Sequence, residues 1–229
     1  MEKNDFILWA SKMEHNYRPS EIVVRKLANV ELLVMVGPTG AGKSTVISKL
    51  EYPKVLSTVT RDKRPNEKDG VDYYFTNDYF KVIEDIKLGN FVQYLVSPNG
   101  EFYGTHIDSY PESGLCTMAI IAGAVNNFKS LGFKNITQIY IMPPNYVEWM
   151  RRIGGVRTKD LLTRISEARD SINLALSDER YNFVLNDEIN AALNDINKII
   201  NGQPINQHRI ELAIGTADTL LEHIGEDED

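Results

Sequence analysis

One cysteine, Cys116, is all the thiol chemistry these 229 residues carry, so no disulfide can close within the chain and no thiolate cluster can hold a metal. The four histidines are scattered without metal-ligand spacing, which removes zinc-type ligand sets as well. No apolar run approaches the roughly 18 residues a membrane span needs. The opening "MEKNDFILWASKMEHNY" lacks the layout of a secretory leader. Basic charge is also in short supply: 25 Lys and Arg stand against 32 Asp and Glu, a formal −7. That is the wrong sign for a chain that coats nucleic acid. These absences leave a globular protein expected in the cytoplasm, with no membrane and no stable nucleic-acid partner. Cys116 itself sits in an apolar run and reads as a small buried hydrophobe.

Short apolar runs alternate with helical periodicity from residue 31 to about 203. "LLVMV" (32–36), "CTMAII" (116–121), "TQIYIM" (137–142) and "YNFVL" (181–185) read as buried strands, with helices between them. That alternation predicts an α/β fold, a parallel sheet flanked by helices. Between 57 and 110 the style changes. "DGVDYYF" alternates, "NDYFKVIEDIKLG" reads as a helix with an Asn cap and a Gly stop, and "FVQYLVSPNGEFYG" reads as a hairpin turning at Pro98-Asn99-Gly100. This is a small antiparallel insertion. Residues 1–30 carry Phe6, Trp9 and Met13 at helical spacing. Residues 204–229 carry Ile210, Ile214, Ala217, Leu221 and Ile224 likewise, before an acidic end. Each amphipathic stretch is expected to dock on its own core, with a homodimer through these terminal helices as the alternative.

The most specific signal is Gly37-Pro38-Thr39-Gly40-Ala41-Gly42-Lys43-Ser44, followed by Thr45. It matches G-x-x-x-x-G-K-[ST] between a predicted strand and a predicted helix. Glycines there let backbone N–H groups turn inward around phosphate oxygens. Lys43 supplies charge for the β- and γ-phosphates, and the Ser44 hydroxyl is placed to ligate magnesium that arrives with the nucleotide. A P-loop nucleotide site, ATP with Mg2+, follows. Motors, transporters and small kinases all use this cradle, so it assigns no reaction.

A second anion receptor follows in "STVTRDKRPNEKDGVDYYF", residues 57–75. Arg61 and Arg64, three apart, present guanidinium forks that bind phosphate oxygens in pairs, and Tyr73 adds a neutral donor. The same stretch resembles the guanylate kinase family's S-x-T-T-R-x-x-R-x-x-E-x-x-G-x-x-Y-x-F, with Ser57, Thr60, Arg61, Arg64, Glu67, Gly70, Tyr73 and Phe75 in register. "EFYGT" (101–105), "IYIMPP" (139–144), "TRISEAR" (163–169) and "YNFVLNDEINAA" (181–192) resemble further motifs of that family, in order, over about 31 to 200. The resemblance implies a P-loop kinase with three parts: a core (31–203), an acceptor-binding insertion (57–110) and a helical lid (145–165). It implies Arg61, Arg64, Tyr73 and Tyr103 on the phosphate of a nucleoside monophosphate, with Ser57 and Thr105 near its base. Asn186 matches the position near the donor's adenine. Arg152 and Arg164 match the lid arginines that neutralise the phosphoryl group in flight; Arg157 lies nearby, out of register. Gly154-Gly155 is a hinge candidate.

The sequence departs from the family at two places. Ala119, Ile121 and Gly123 stand where the family carries D-I-D-x-Q-G, so both carboxylates are gone. Gln93 in "FVQY" replaces the glutamate that accepts from guanine N1–H and the 2-amino group. An amide cannot accept from both, so guanine selectivity is expected to be weakened or replaced, unless the nearby Glu101 restores a carboxylate. The expected activity is transfer of the ATP γ-phosphoryl group to GMP, dGMP or a related nucleoside monophosphate. A nucleotide-binding module without turnover, and a kinase of a sugar phosphate or modified nucleotide, remain as alternatives.

Overall fold

The computed structural model describes residues 1–97, 99–154 and 158–226. Pro98 of the expected turn, Gly155 of the expected hinge, Arg157 and the acidic end from 227 lie outside the described residues.

Two helices open the chain, α1 (Lys3–Glu14) and α2 (Glu21–Leu27). β1 (Val30–Val36), α3 (Lys43–Lys49), β2 (Thr58–Val59), β3 (Tyr74–Phe75) and α4 (Tyr79–Leu88) follow. Next come β4 (Phe91–Val96), β5 (Phe102–His106), β6 (Gly114–Ala119), α5 (Val125–Lys129) and β7 (Asn135–Met142). The last elements are α6 (Tyr146–Ile153), α7 (Thr158–Leu176), β8 (Tyr181–Leu185), α8 (Ile189–Ile200) and α9 (Gln207–Glu226). One sheet runs β6-β1-β7-β8, with β7 and β8 parallel and Ile141 opposite Val184. Val34, Met35 and Val36 of β1 and Ile139, Tyr140, Ile141 and Met142 of β7 are all 0% exposed. Such continuous apolar strands are what a sheet covered on both faces selects. The second sheet runs β3-β2-β5-β4. Its β2–β5 and β4–β5 pairs are antiparallel as expected, but β2 and β3 pair in parallel. The chain from Thr60 to Tyr73 loops back to the start of the ladder, where a tight hairpin would have reversed it.

By Cα proximity the chain divides into two compact units. The first comprises Met1–Leu32, Tyr52–Met118 and Asn126–Ile136; the second comprises Leu33–Glu51, Ala119–Val125 and Thr137–Asp229. In the first, α1 packs on β4 and α4. In the second, α9 packs on β8, α7 and α6. Among the described residues no helix is long and apolar enough to cross a membrane.

Several boundaries differ from the sequence reading, each for a local reason. Asp78, not Asn77, caps α4, its carboxylate accepting Lys81 N–H, while Gly89 closes the helix at φ 70°. β6 stops at Ala119: Ile120 N–H still reaches the Met35 carbonyl, but the chain then turns through a short 3-10 segment and leaves Ile121 69% exposed. On α9 the buried stripe is Ala213, Ala217, Leu220 and Ile224 rather than the larger set expected, with Ile210, Ile214 and Leu221 half-buried. On α1 it is Phe6 and Ala10, both 0% exposed, with Trp9 partly covered and Met13 exposed. These apolar stripes are covered by the chain's own elements. Cys116 is fully buried in β6, its Sγ 3.6 Å from the Glu31 carbonyl, and burial pushes its pKa up to about 12.

Candidate functional site

In the second unit the loop from β1 to α3 takes a shape only glycine permits. Gly37 has φ 142° and Gly42 has φ 99°. A Cβ on Gly37 would fall 2.3 Å from the Ile141 carbonyl oxygen, and one on Gly42 would fall 2.3 Å from Asn186 Nδ2. Side chains from three places then hold the loop by its carbonyls. Trp149 Nε1 donates to Thr39 O at 2.8 Å, Arg152 Nη1 to Gly40 O at 3.5 Å, and Asn186 Nδ2 to Ala41 O at 2.8 Å. With those carbonyls turned outward to partners, the first-turn amides of α3, which have no intrahelical acceptor, are left for an anion. Lys43 folds across the same loop, its Nζ donating to Gly37 O at 2.6 Å and Pro38 O at 3.0 Å. Burial without a counter-charge pulls the Lys43 pKa from 10.5 down to about 8. Ser44 and Thr45 are exposed.

The lid arginines divide. Arg152 reaches the loop, and Glu148 holds it: Arg152 Nε meets Glu148 Oε1 at 2.8 Å, while Arg151 takes the same carboxylate at 2.7 and 2.8 Å. Hydrogen bonds from Arg151, then from Arg152, hold the Glu148 pKa down to about 2. Arg164 sits half-buried on α7, and no hydrogen bond or ion pair among the described residues joins it to the loop. α9 braces the end of β8 from outside. Arg209 Nε binds Asp195 at 2.6 Å, and its Nη atoms bind Asp187 at 3.2 and 3.0 Å and the Leu185 carbonyl at 3.0 Å. Asn186 is thereby fixed on both sides of its backbone.

In the first unit the second sheet collects the other predicted residues on one face. Gln93 stands opposite Thr105, Leu95 opposite Tyr103, and Tyr103 opposite Val59. Alternation along the strands places Ser57, Val59 and Arg61 on that same face. The Arg61 guanidinium lies 4.9 Å from the Tyr73 ring centroid and 5.4 Å from that of Phe75. Tyr73 and Tyr103 meet edge-on at 6.4 Å. Burial raises the Tyr73 pKa, so its phenol stays a donor. Arg64 is exposed next to this group.

Two readings need correction. The Arg61 fork is not open to a phosphate along its whole edge: Nη1 and Nη2 each meet the Glu67 carboxylate at 2.6 Å. The hydrogen bonds from Arg61 hold the Glu67 pKa below its ordinary 4.5. What remains is the Nε edge, and Arg61 Nε is buried without a partner. Glu101 does not restore a base-reading carboxylate either. Its Oε1 meets Lys3 Nζ at 2.7 Å and its Oε2 accepts from Thr60 Oγ1 at 3.2 Å, so both oxygens are committed. Gln93 therefore stands alone, and its Oε1 is a second buried atom without a partner. Thr105 is fully buried, and its hydroxyl oxygen accepts from the Tyr110 phenol at 3.0 Å, which leaves the Thr105 O–H itself as a donor.

Sequence reasoning passed over Trp149 and Glu148. Glu148 stood three and four residues before two arginines on a predicted helix, the spacing of an intrahelical ion pair, and that signal was readable. Trp149 carried none.

A guanylate kinase family model matches residues 29–203. A guanylate kinase of Oceanobacillus iheyensis is 30% identical over 195 residues, which span 78% of this chain and 90% of that protein. The crystal structure of guanylate kinase from Anaplasma phagocytophilum superposes with a TM-score of 0.57 at 24% identity, covering 79% of this chain and 89% of that one, a likeness of fold. A family model that spans residues 29–203, with a relative 30% identical over most of both chains, leads to one assignment: the chain belongs to the guanylate kinase family of ATP-dependent phosphotransferases.

Proposed function

We propose that the chain passes the γ-phosphoryl group of ATP to a nucleoside 5′-monophosphate with GMP as its reference acceptor. The observation that carries this is the pair of orphaned buried atoms, Gln93 Oε1 and Arg61 Nε. One accepts and one donates, and a buried polar atom left unpaired costs about 1–3 kcal/mol. A ligand with a base N–H at one end and an anionic oxygen at the other satisfies both. Arg61 Nε, Arg64 and the Tyr73 and Tyr103 phenols then bind the acceptor phosphate, which is already a dianion and needs no general base.

The donor triphosphate is assigned to the 37–45 loop, with Lys43 and Arg152 countering charge on the transferring group. Magnesium fits this site only in part. Ser44 offers an exposed hydroxyl, but among the described residues no group of three or more His, Cys, Asp or Glu could hold a metal ion, and positions 119, 121 and 123 carry no carboxylate. The ion would be held by Ser44 and by the nucleotide's own phosphates. Its contribution there is to neutralise phosphate charge. A cytoplasmic location belongs to the same proposal.

Gln93 sets the expected selectivity. Its carboxamide can accept from guanine N1–H and donate to O6, which leaves the 2-amino group unread. In a coupled assay over GMP, dGMP, IMP, AMP, CMP, UMP and dTMP, GMP should form ADP and IMP should follow within about tenfold. Gln93→Glu should widen the GMP preference over IMP by about tenfold, since a carboxylate takes both guanine donors. Absence of ADP formation with every monophosphate sinks the function. An unchanged ratio in the variant removes Gln93 from the base site.

Asn186 provides a separate check on the donor loop. Asn186→Ala removes the donor to Ala41 O and leaves that carbonyl unpaired. KM for ATP should rise about tenfold with KM for GMP unchanged, the loss expected for one buried hydrogen bond.

A further inference from the structure

Helix α1 lies outside the stretch matched by the family model, which begins at residue 29. It covers the back of the sheet whose front face carries Gln93, Tyr103 and Arg61. Phe6 and Ala10 join Val82, Ile86, Phe91, Tyr94 and Phe102 in one buried cluster. Phe6 stacks on Tyr79 at 5.1 Å and meets Phe102 at 5.7 Å, and the Tyr94 phenol donates to the Ala10 carbonyl at 3.1 Å.

Asp5 in the first turn of α1 and Lys12 in the last suit the helix dipole, while Lys3, its first residue, and Glu14, its last, are engaged elsewhere. Both side chains reach the β4–β5 hairpin. Glu14 Oε2 accepts Val96 N–H at 2.9 Å, and Lys3 Nζ meets Glu101 Oε1 at 2.7 Å. From Glu101 the connection continues: its Oε2 takes the Thr60 hydroxyl at 3.2 Å, and Thr60 Oγ1 accepts Phe102 N–H at 3.0 Å. Thr60 and Phe102 are each one residue before a proposed phosphate ligand, Arg61 and Tyr103.

The geometry points to α1 as a splint for the acceptor site, with Lys3 and Glu101 as positioning residues that set the spacing of Arg61 and Tyr103 through Thr60 and Phe102. This inference rests on the acceptor reading above. A helix that only added stability would lower the melting temperature without favouring one substrate. A splint on this hairpin acts on the monophosphate alone.

The test uses the full chain and Lys3→Met, Lys3→Arg and Glu101→Gln variants. Each nucleotide is varied at saturating partner, and GMP binding is followed by calorimetry. Lys3→Met and Glu101→Gln should raise KM and Kd for GMP about three- to tenfold, with KM for ATP within about twofold of the parent. Lys3→Arg, which can keep the ion pair, should restore the parent value. A parent chain that turns over GMP while Lys3→Met and Glu101→Gln match it overturns the inference alone. So does an equal rise in KM for both nucleotides. A parent chain inert toward every monophosphate overturns the function, and this inference with it.

Discussion

Lys43→Met should lower kcat on the order of 10²–10³-fold, the loss seen when one preorganised charge-stabilising donor is removed, and the chain should stay folded. The two halves of that expectation have one cause. Without nucleotide, the Lys43 ammonium is held against two carbonyls with no carboxylate beside it, and burial has brought its pKa from 10.5 to about 8. Between pH 8 and 10.5 the unfolded chain binds a proton there that the folded chain does not. Folding stability therefore rises with pH across that window, and below about pH 8 the burial cost is constant. Methionine removes the cost, so the nucleotide-free variant should melt no lower than the parent at pH 7 and lose the pH-dependent gain. Bound phosphate oxygens supply the missing counter-charge and raise the pKa again. ATP binding by the parent at pH 8–9 should then take up a proton, measurable by calorimetry in buffers of differing ionisation enthalpy. An equal uptake in Lys43→Met would assign the proton to another group.

Arg61→Lys, conservative in charge, should cut kcat/KM for the monophosphate on the order of 10²-fold with KM for ATP unchanged. The guanidinium does three things at once: it binds both oxygens of Glu67, lies against the Tyr73 and Phe75 rings, and keeps Nε for a ligand. An ammonium on a flexible stem cannot hold a bidentate carboxylate and offer a fixed third donor. Loss of one or two charge-assisted hydrogen bonds, about 1.5–3 kcal/mol each, accounts for the size. The same variant should change acid stability. Arg61 hydrogen bonds hold the Glu67 pKa below 4.5, so the pair contributes stability above that pH and loses it as pH falls through the lowered value. Thermal melts from pH 6 to 3 should show a shallower decline for Arg61→Lys. A kcat/KM within threefold of the parent would remove Arg61 from the acceptor site.

Strand positions and the P-loop were legible because their signals are local. "YNFVL" became β8 over the same residues, and the glycines of 37–42 announced a backbone that a Cβ would block. What stayed hidden was pairing across the chain. Nothing near Lys3 in sequence says that its partner is Glu101, 98 residues on, or that Tyr94 will reach back to Ala10. Glu101 shows the same limit from the other side: a carboxylate beside the expected base pocket looked available, and only the fold reveals that both oxygens are engaged. For Arg61 the competitor was six residues away in Glu67, near enough to have been read as a salt bridge in place of an open fork.

The seclusion of Cys116 gives this protein a label it already owns. A sole thiol that is fully covered and reluctant to ionise will ignore alkylating reagents while the surrounding strand stays shut. Its modification rate counts openings of β6 and nothing else. Nucleotides that stabilise the folded state should slow that clock, so a mass spectrometer could read their binding from unaltered protein.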